Sequence, residues 1–517
     1  MSQSATADAQ GYITDIAYTI KYYARQSPGH MITTAQATGL EAFSDASSFA
    51  YADFGCGRGM TLMALAAVYP EAQFFGVDVN AEHIAEARER AAAAGLNNLT
   101  FHAKGFDGLA KDDLPDLDMA TAHGVYSWVS PAVRLQLRDC MARHLKPEGL
   151  ALLSYNVQAG YAGLQPVQSL LMHLAQVAPG DQTAKRRAAL ATVKRMRATE
   201  QDFFERYPKA AAYIDEWGKH DETYLFHEYF NEHWNPLTFG QVAQEMAAVD
   251  LHFCGDAVYP SWVGGKGKKS RAPWMNDPVL LEDMASFATT QAFRYDLYAR
   301  CGSMSFARPP VISDDTQFIL AHPPSSGEVK KAAERTWLPA RLVKHLMAGP
   351  QRYCDLKEAE GFAGKGERLL FTAIRAAMAQ GLVARVSEAV PSVPPAEAPG
   401  GPLTLSTKLA ELLLQDKKLA KQTLPLPAPT LGGAVHVPPM ISAVVAEVVS
   451  GGETDLAERV AERVHGLTGT DAGGNKRETL EAVRERVPGT LERYRTRWLP
   501  FLYQTGVVKA DPAKTST

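Results

Sequence analysis

A glycine-rich turn near residue 55 sets the strongest limit on how this chain can fold. The turn has the sequence DFGCGRG at residues 53–59, follows the apolar-leaning residues 49–51 and precedes the apolar run GMTLMALAAVY. A buried strand that passes through glycines into a helix begins an α/β unit, and glycine lets the backbone approach a ligand closely. The turn therefore predicts a nucleotide-binding α/β fold with its ligand at the ends of the strands.

The sequence that follows repeats this alternation. From Tyr51 to about Val157, short apolar runs alternate with amphipathic runs, which is typical of a parallel sheet with crossover helices. The further predicted strands are AQFFGVDV, LTFHA, LDMATAH and ALLSYNV. Residues that cap or end helices mark the predicted boundaries: Pro70, Asn80, Gly95, Ser130 and Pro131.

The spacing of the glycines argues against a phosphate ligand. A dinucleotide fingerprint, G-x-G-x-x-G, needs glycine at position 60, where this chain has Met60, and a P-loop needs a lysine that does not follow this turn. The order G-x-G-x-G at positions 55, 57 and 59 instead favours a nucleoside without phosphates. S-adenosylmethionine fits that description, and another Rossmann-like nucleotide binder is the alternative.

Polar residues after the strands can make the contacts that this cofactor needs. Asp53 can hold its amino group directly or through water, and Asp78 can accept hydrogen bonds from ribose hydroxyls. Asp107 can accept from the adenine amine, with Phe106 beside the ring. The predicted cofactor-binding residues are Tyr18, Asp53, Gly55, Gly57, Gly59, Asp78, Val79, Phe106, Asp107 and His123.

Four longer motifs resemble one bacterial family. They are AHGVYSWVSP (122–131), KPEGLALLSYNVQAGYA (146–162), YLFHEYFNEHWNPLTF (224–239) and QAFRYDLYAR (291–300). Together with the glycine turn, they resemble class I S-adenosylmethionine-dependent methyltransferases that carry a methyltransferase regulatory domain, a family that includes lysine methyltransferases of bacterial outer-membrane proteins. The resemblance covers roughly residues 12–330. It implies S-adenosylmethionine as the cofactor and a protein lysine as the acceptor.

One loop departs from the pattern of that family, which runs SYN-x-x-PGWH after the fifth strand. This chain has SYNVQAGYA there, with Ala159, Tyr161 and Ala162 in place of proline, tryptophan and histidine. Because the loop lies near the expected acceptor site, the acceptor can differ from that of the outer-membrane-protein enzymes.

Methyl transfer to an ammonium acceptor needs alignment and the removal of a proton. Aromatic faces can hold a methylated ammonium, and tyrosine or asparagine oxygens can orient an amine. The predicted acceptor-side residues are His123, Tyr126, Trp128, Tyr155 and Asn156. Trp128 could instead pack under the helix that begins at Ser130, and His123 could cap its strand or lie under the methionine part of the cofactor.

Two further segments have competing interpretations. Tyr18, Tyr22 and Tyr23 lie in AYTIKYYARQSPGHM and predict a lid over the cofactor, although a packed amphipathic helix explains them almost as well. The motif HEYFNEH at 227–233 lacks the H-E-x-x-H spacing of a zinc site, so no metal is predicted there. Its aromatic neighbours are expected to be core residues.

The length of 517 residues indicates two to four domains. We predict a Rossmann-like class I methyltransferase domain with its lid at 1–165, a mostly helical middle domain with a regulatory or substrate role at 166–330, and winged-helix-like modules at 331–517. Stretches rich in proline and glycine at 390–402 and 423–440 are predicted to be linkers or irregular wraps.

Charge and cysteine usage limit the partners and the compartment. The net charge of −4 gives no reason to expect a nucleic-acid partner. Five cysteines without CxxC spacing, an N-terminus unlike a secretion signal and the absence of a run of about 18 apolar residues predict a cytoplasmic protein without a membrane span.

The sequence therefore predicts an S-adenosylmethionine-dependent methyltransferase that acts on a protein, with the lysine amine following from the resemblance. A small-molecule or natural-product methyltransferase is the second hypothesis; its extra domains would serve dimerisation, so a homodimer stays open. A regulatory or scaffold protein that senses S-adenosylmethionine is the third.

Overall fold

The computed structural model describes most of the chain. The described residues are 20–41, 44–45, 48–199, 202–258, 272, 275, 277–300, 310–325, 338–390, 392–394, 397–398, 401–467 and 478–511. Tyr18, a predicted cofactor-binding and lid residue, lies outside them.

A seven-stranded sheet forms the centre of the described structure. Its strands are β1 (Ala50–Phe54), β2 (Gln73–Asp78), β3 (Leu99–Ala103), β4 (Leu117–Ala122), β5 (Leu145–Asn156), β6 (His252–Asp256) and β7 (Phe293–Ala299). They lie in the order β3-β2-β1-β4-β5-β7-β6. The first five are parallel, and β7 runs antiparallel to β5 and to β6. The predicted Rossmann-like α/β fold class is confirmed.

Helices between the strands begin and end where capping residues predict. The first four are α1 (Pro28–Gln36), α2 (Met60–Val68), α3 (Ala81–Ala93) and α4 (Pro131–His144). The Asn80 side chain accepts hydrogen bonds from two backbone amides of α3, and the Ser130 side chain accepts one from a backbone amide of α4. Gly95 follows α3 with a φ of +69°, a left-handed conformation that favours glycine.

A helical layer follows the fifth strand. It consists of α5 (Gln158–Tyr161), α6 (Gln165–Val177), α7 (Gln182–Thr199), α8 (Asp202–Arg206), α9 (Pro208–Glu216) and α10 (Glu222–Tyr229). Its core contains Trp217 and Trp234 and also includes Trp128, which precedes α4. The predicted helical middle region is thus confirmed, and its core packs directly against the sheet-bearing part of the chain.

The chain then returns to the sheet. After α11 (Phe239–Ala247) it forms β6, and after α12 (Pro278–Thr289) it forms β7. The fully buried Arg294 on β7 pairs with Asp296 at 2.9 Å and with Glu282 of α12 at 3.0 Å. These two carboxylate partners, on β7 and α12, satisfy a charge that burial alone would strongly disfavour. The sheet therefore extends past the predicted boundary at residue 165.

The C-terminal residues that the structure describes form two further groups of elements. The first contains β8 (Gln317–Leu320), α13 (Leu338–Leu346), β9 (Gln351–Arg352), α14 (Tyr353–Glu358), α15 (Glu367–Ala379) and β10 (Val383–Arg385). Its three strands are antiparallel in the order β10-β8-β9, and the predicted helix and strand in RLLFTAIRAAMAQGLVARV are α15 and β10.

The second group begins near residue 401. It contains β11 (Leu403–Leu405), α16 (Lys408–Gln415), β12 (Leu424–Ala428), β13 (Gly433–Val437), α17 (Pro439–Gly451), α18 (Leu456–Leu467), α19 (Leu480–Arg493), α20 (Leu499–Gln504) and β14 (Val508–Ala510). A π-helical segment at Tyr494–Trp498 joins α19 to α20, and 3-10 turns lie at Ala24–Gln26, Lys111–Asp113, Trp217–Lys219 and Pro429–Leu431. None of the helices described is long and apolar enough to cross a bilayer.

The prediction of a linker at 423–440 is wrong. Most of this stretch is the antiparallel hairpin β12-β13, which packs on α2 and shares one hydrophobic core with it. The reason is that the sequence LPLPA buries all five of its residues, and the prolines of an edge strand need no ladder hydrogen bond.

The hairpin also holds the N-terminal segment. The buried Tyr22 hydroxyl hydrogen-bonds to the backbone of Ala434, and the Tyr22 ring lies 5.6 Å from the ring of His436. A Cβ at Gly433 would lie only 2.2 Å from the Tyr22 Oη. The close approach of the two segments thus depends on glycine at position 433.

Gly433→Ala should destabilise the fold by about 1–3 kcal/mol, because the added methyl forces Tyr22 or the hairpin to move. The midpoint of urea unfolding measures the effect. Gly489→Ala is the matched control, since a Cβ there meets no atom within 4 Å and lies inside α19, where alanine favours helix. A Gly433→Ala variant as stable as the control would contradict this packing.

Candidate active site

A cavity of about 800 Å³ lies at the carboxyl ends of the parallel strands. Its lining includes the turn after β1, the residues after β2 and β3, and His123 after β4. The order of strands reverses between β1 and β4, and ligands of open α/β sheets bind at such a switch point. The volume is large enough for a nucleoside cofactor together with part of a second substrate.

The three glycines of the turn all adopt left-handed backbone conformations. The φ angles are +80° at Gly55, +55° at Gly57 and +70° at Gly59. A Cβ would lie 2.2 Å from the Val125 side chain at Gly55 and 2.5 Å from that of Phe101 at Gly59, whereas nothing lies within 4 Å at Gly57. Gly55 and Gly59 are therefore required for packing, and Gly57 leaves its backbone open to the cavity.

Asp78 fixes the position of this turn. Its Oδ2 accepts a hydrogen bond from the Gly57 amide at 2.8 Å, and its Oδ1 accepts one from the Asn80 amide at 2.9 Å. Burial raises the pKa of Asp78, and these two hydrogen bonds oppose that shift. A carboxylate oxygen has two lone-pair directions, so both oxygens can still accept from a ligand.

Asp53 is almost fully buried at the floor of the cavity. Its Oδ1 accepts hydrogen bonds from Gln26 at 3.0 Å and from the Thr121 hydroxyl at 2.7 Å. Burial raises the pKa of Asp53 to about 7, against the effect of these two hydrogen bonds. An Asp53 carboxylate in this setting is well suited to a cationic group such as the amino group of the predicted cofactor.

Three of the predicted cofactor-binding residues come from the segments that follow β2 and β3. Val79, Phe106 and Asp107 all line the cavity. Val79 is 40% exposed, so its apolar face is available for a ring to cover. Asp107 is exposed at the cavity wall, where its carboxylate can accept from an amine.

His123 lies among aromatic side chains. Its ring centre is 3.9 Å from that of Tyr23 and 5.2 Å from that of Tyr295, with which it is stacked. Its Nδ1 lies 2.7 Å from the Ser154 Oγ. Burial, together with the charges of Arg25 and Lys21, lowers the pKa of His123 to about 3, so the imidazole is neutral near pH 7.

Trp128 and Asn156 also line the cavity, as predicted for acceptor-side residues. Trp128 stacks on Trp234 at 6.0 Å and belongs to the core of the helical layer, so the packing alternative holds for it as well. Asn156 is buried, and its Nδ2 has no hydrogen-bond partner among the described residues. A buried donor of this kind at a cavity wall is costly unless a ligand or water accepts from it.

Tyr126 and Tyr155 do not lie at the cavity, in contrast to the prediction. The Tyr126 hydroxyl donates to Glu245 at 2.5 Å, in the core beneath α4 and α11. The Tyr155 hydroxyl donates to Asp296 at 2.5 Å. Neighbouring side chains of a strand point to opposite faces, so Asn156 facing the cavity turns Tyr155 away from it.

Sequence reasoning missed a group of side chains from the helical layer. We call Tyr161, Tyr213, Tyr224 and Glu228 the tyrosine pocket; all four line the same cavity as the glycine turn. The Tyr224 hydroxyl donates to Glu228, and the Tyr161 and Tyr213 rings stack at 5.9 Å. Burial raises the pKa of Glu228 to about 7.

A signal for this pocket was present in the sequence. Glu228 lies in HEYFNEH, a motif whose aromatic neighbours are predicted to be core residues and whose histidine spacing does not match a zinc site. A carboxylate between aromatic residues of a helix also indicates a cation site. Tyr161 is one of the residues at which the chain departs from the family pattern.

The side chains of the cavity fit S-adenosylmethionine. Asp53 and Asp78 offer carboxylates to an amino group and a ribose, Val79 offers an apolar face, and Gly57 offers open backbone. The unpartnered Nδ2 of Asn156 offers a donor. The residues present therefore match the cofactor predicted from the glycine spacing.

Comparison with known families agrees with this architecture. Residues 52–149 match the family described as "Methyltransferase domain", and residues 221–300 match the family described as "Predicted methyltransferase regulatory domain". The second match includes β6 and β7. Both matched segments thus contribute strands to the same sheet.

Individual relatives extend the comparison. An uncharacterized protein of Synechocystis sp. is 30% identical over 295 residues, 56% of this chain and 58% of that protein. An uncharacterized protein of Rickettsia prowazekii is 26% identical over 289 residues, 55% of this chain and 51% of that protein. The chain thus spans little more than half the length of these curated relatives.

A solved structure matches over almost the whole chain. PKMT2 from Rickettsia typhi, in complex with AdoHcy, superposes with a TM-score of 0.65 and 20% identity, covering 92% of this chain and 98% of that one. At this level of identity the likeness shows a shared fold.

Asp78→Ala should weaken S-adenosylmethionine binding roughly 10- to 100-fold, because it removes charged hydrogen-bond acceptors and releases the Gly57 amide. Calorimetric titration measures the affinity, and circular dichroism checks the fold. Asp112→Ala, at an exposed aspartate outside the cavity lining, is the control. Wild-type affinity in a folded Asp78→Ala variant would remove this residue from the cofactor site.

Affinity for S-adenosylmethionine should rise about tenfold between pH 6 and pH 8, because Asp53, with a pKa of about 7, must ionise to pair with the cofactor's amino group. Calorimetry across this range tests the sign and the size of the change. Asp53→Asn should bind more weakly and lose the rise. A variant that keeps the full rise would assign the titration to another group.

Proposed function

We propose that this chain is an S-adenosylmethionine-dependent methyltransferase whose acceptor is a primary amine, specifically the side chain of a protein lysine. The observation that carries the proposal is the tyrosine pocket, which places the Glu228 carboxylate in the same cavity as the glycine turn. One end of the cavity is suited to a nucleoside and the other end is suited to a cation. Such a cavity matches a reaction between a sulfonium cofactor and an amine.

The residues at the cofactor end bind and orient. When bound, S-adenosylmethionine supplies a methyl group on a positively charged sulfur. Asp53 offsets the charge of the amino group and Asp78 holds the ribose, while Val79 covers one face of the nucleoside. His123 stays neutral because of its low pKa, so it adds no positive charge beside a cationic ligand.

Glu228 is the better candidate for removing the proton of an ammonium acceptor. A lysine ammonium has a pKa of about 10.4, and a proton acceptor works best when its own pKa lies near the working pH. The pKa of Glu228, about 7, meets this condition, whereas that of His123, about 3, makes its imidazole a weak base. Glu228 also attracts the ammonium before the proton moves.

Tyrosine rings complete the recognition of a cation. Tyr224 presents its ring face to an ammonium, as the position of Lys21 shows: its Nζ lies 5.1 Å from the centre of that ring. Such contacts stabilise an ammonium by about 0.5–2 kcal/mol, depending on how far water is excluded. Because a methylated ammonium is still cationic, the tyrosine pocket can hold both substrate and product.

A protein acceptor is supported by the parts of the chain outside the methyltransferase match. The helical layer forms one side of the tyrosine pocket and offers a surface for a macromolecule. A free metabolite with a primary amine would use the same chemistry and is the competing acceptor.

Labelled S-adenosylmethionine separates these possibilities. Purified protein is incubated with methyl-labelled cofactor and either host-cell lysate or the small-molecule fraction of that lysate. Label on discrete protein bands, assigned to lysine by mass spectrometry, is the expected result. Label confined to small molecules would overturn the protein acceptor, and cofactor binding without any transfer would favour a sensor.

Glu228→Gln should lower the rate of amine methylation at least about 100-fold while the affinity for S-adenosylmethionine stays unchanged, since the amide cannot take a proton. Transfer of label to the identified acceptor and calorimetry of cofactor binding are measured together. Glu232→Gln, at an exposed position four residues further along, is the matched control. Equal rates for both variants would contradict a role for Glu228.

A further inference from the structure

Lys21 brings an amine of the chain itself into the cavity. Its side chain lines the cavity, and its Nζ lies 5.1 Å from the ring centre of Tyr224, a residue of the tyrosine pocket. The ammonium also interacts electrostatically with Glu228 at the acceptor end and with His123 beside the glycine turn. Lys21 therefore lies where the two ends of the cavity meet.

The backbone next to Lys21 is held firmly. Tyr22 is buried against the β12-β13 hairpin and hydrogen-bonds to Ala434. The Tyr23 amide donates to the Thr61 hydroxyl at 3.1 Å, and the Tyr23 ring packs on His123. Tyr22 is thus held by the hairpin, whereas Lys21 and Tyr23 on either side of it both line the cavity.

We propose that Lys21 is a methylation site of this enzyme itself, because its Nζ lies over the ring of Tyr224 in the tyrosine pocket, close enough to Glu228 to interact with it electrostatically. This inference rests on the proposed function and adds a substrate to it, the enzyme's own N-terminal segment. Because Lys21 belongs to the same chain as the cavity, its amine has a high effective concentration there. The reaction therefore does not require two protein molecules to collide.

The chemistry is the same as for an external lysine. The ammonium of Lys21 gives a proton to the Glu228 carboxylate, and the nitrogen lone pair forms a bond to the methyl carbon as the carbon–sulfur bond of the cofactor breaks. The electron pair of that bond stays on sulfur, which becomes a neutral thioether. The products are N-methyl-Lys21, S-adenosylhomocysteine and a proton that Glu228 releases to water.

Lys104 provides a built-in comparison. It also lines the cavity, but its Nζ is hydrogen-bonded to both carboxylate oxygens of Asp113, at 2.8 and 2.6 Å. That ion pair directs the Lys104 amine to Asp113. Both lysines line the cavity, but we expect Lys21 to be methylated and Lys104 to remain unmodified.

Mass spectrometry of the full-length protein tests this. The protein is analysed as isolated and after incubation with methyl-labelled S-adenosylmethionine, and peptides containing Lys21 and Lys104 are compared. We expect methyl groups on Lys21 only, at a rate per molecule that does not change with protein concentration. Lys21→Arg should abolish the modification, and Glu228→Gln should slow it.

A binding experiment gives a readout that does not depend on activity. Lys21→Ala should bind the probe Nα-acetyl-lysine amide more tightly, about tenfold if Lys21 fills the pocket roughly nine-tenths of the time. Lys104→Ala is the matched control and should leave the dissociation constant unchanged. Unchanged binding in Lys21→Ala would show that Lys21 does not occupy the acceptor position and would overturn the inference.

The outcomes also separate this inference from the proposed function. Transfer of label to an added protein lysine, with Lys21 unmodified, would overturn self-methylation and leave the methyltransferase activity standing. Modification of Lys21 that speeds up with protein concentration would overturn transfer within one chain. Failure to bind S-adenosylmethionine would overturn the proposed function itself.

Discussion

The contact between one carboxylate and the glycine turn is the constraint on which the rest of the site depends. Asp78 accepts the amide of Gly57 on one oxygen and the amide of Asn80 on the other, so it joins the first turn, the end of β2 and the start of α3. The turn can take this path only because its glycines adopt positive φ angles. The cavity floor is therefore set by a few backbone angles and one side chain, and the remaining walls are added to it by distant segments.

The C-terminal region contributes to one of those walls, although none of its described residues lines the cavity itself. The β12-β13 hairpin packs on α2 and holds Tyr22, and the next residue, Tyr23, contacts His123 inside the cavity. A change in the hairpin can thus alter the cofactor site through two neighbouring residues. The described part of the C-terminal region consequently helps to hold the cavity in place, because its core and the core on one face of the central sheet are the same.

Burial decides which charge states the side chains of the cavity favour. It raises the pKa values of Asp53 and Glu228 to about 7 and lowers that of His123 to about 3, so the cavity disfavours any charge that lacks a partner. Two carboxyl groups that ionise readily when a cation arrives, with a histidine that stays neutral, form a site suited to two cationic ligands. The sulfonium cofactor and the proposed ammonium acceptor would be such a pair.

The sequence by itself determined the α/β order, the cofactor end of the cavity and the helix boundaries at Asn80 and Ser130, because glycine turns and capping act over a few neighbouring residues. It did not determine the direction of Tyr126 and Tyr155, whose hydroxyls meet partners far along the chain. Nor did it bring Glu228 to the cavity or fold residues 423–440 into a hairpin. Only the tertiary structure decided these features, since they depend on which surfaces of distant segments pack together, and no local pattern of residues records that choice.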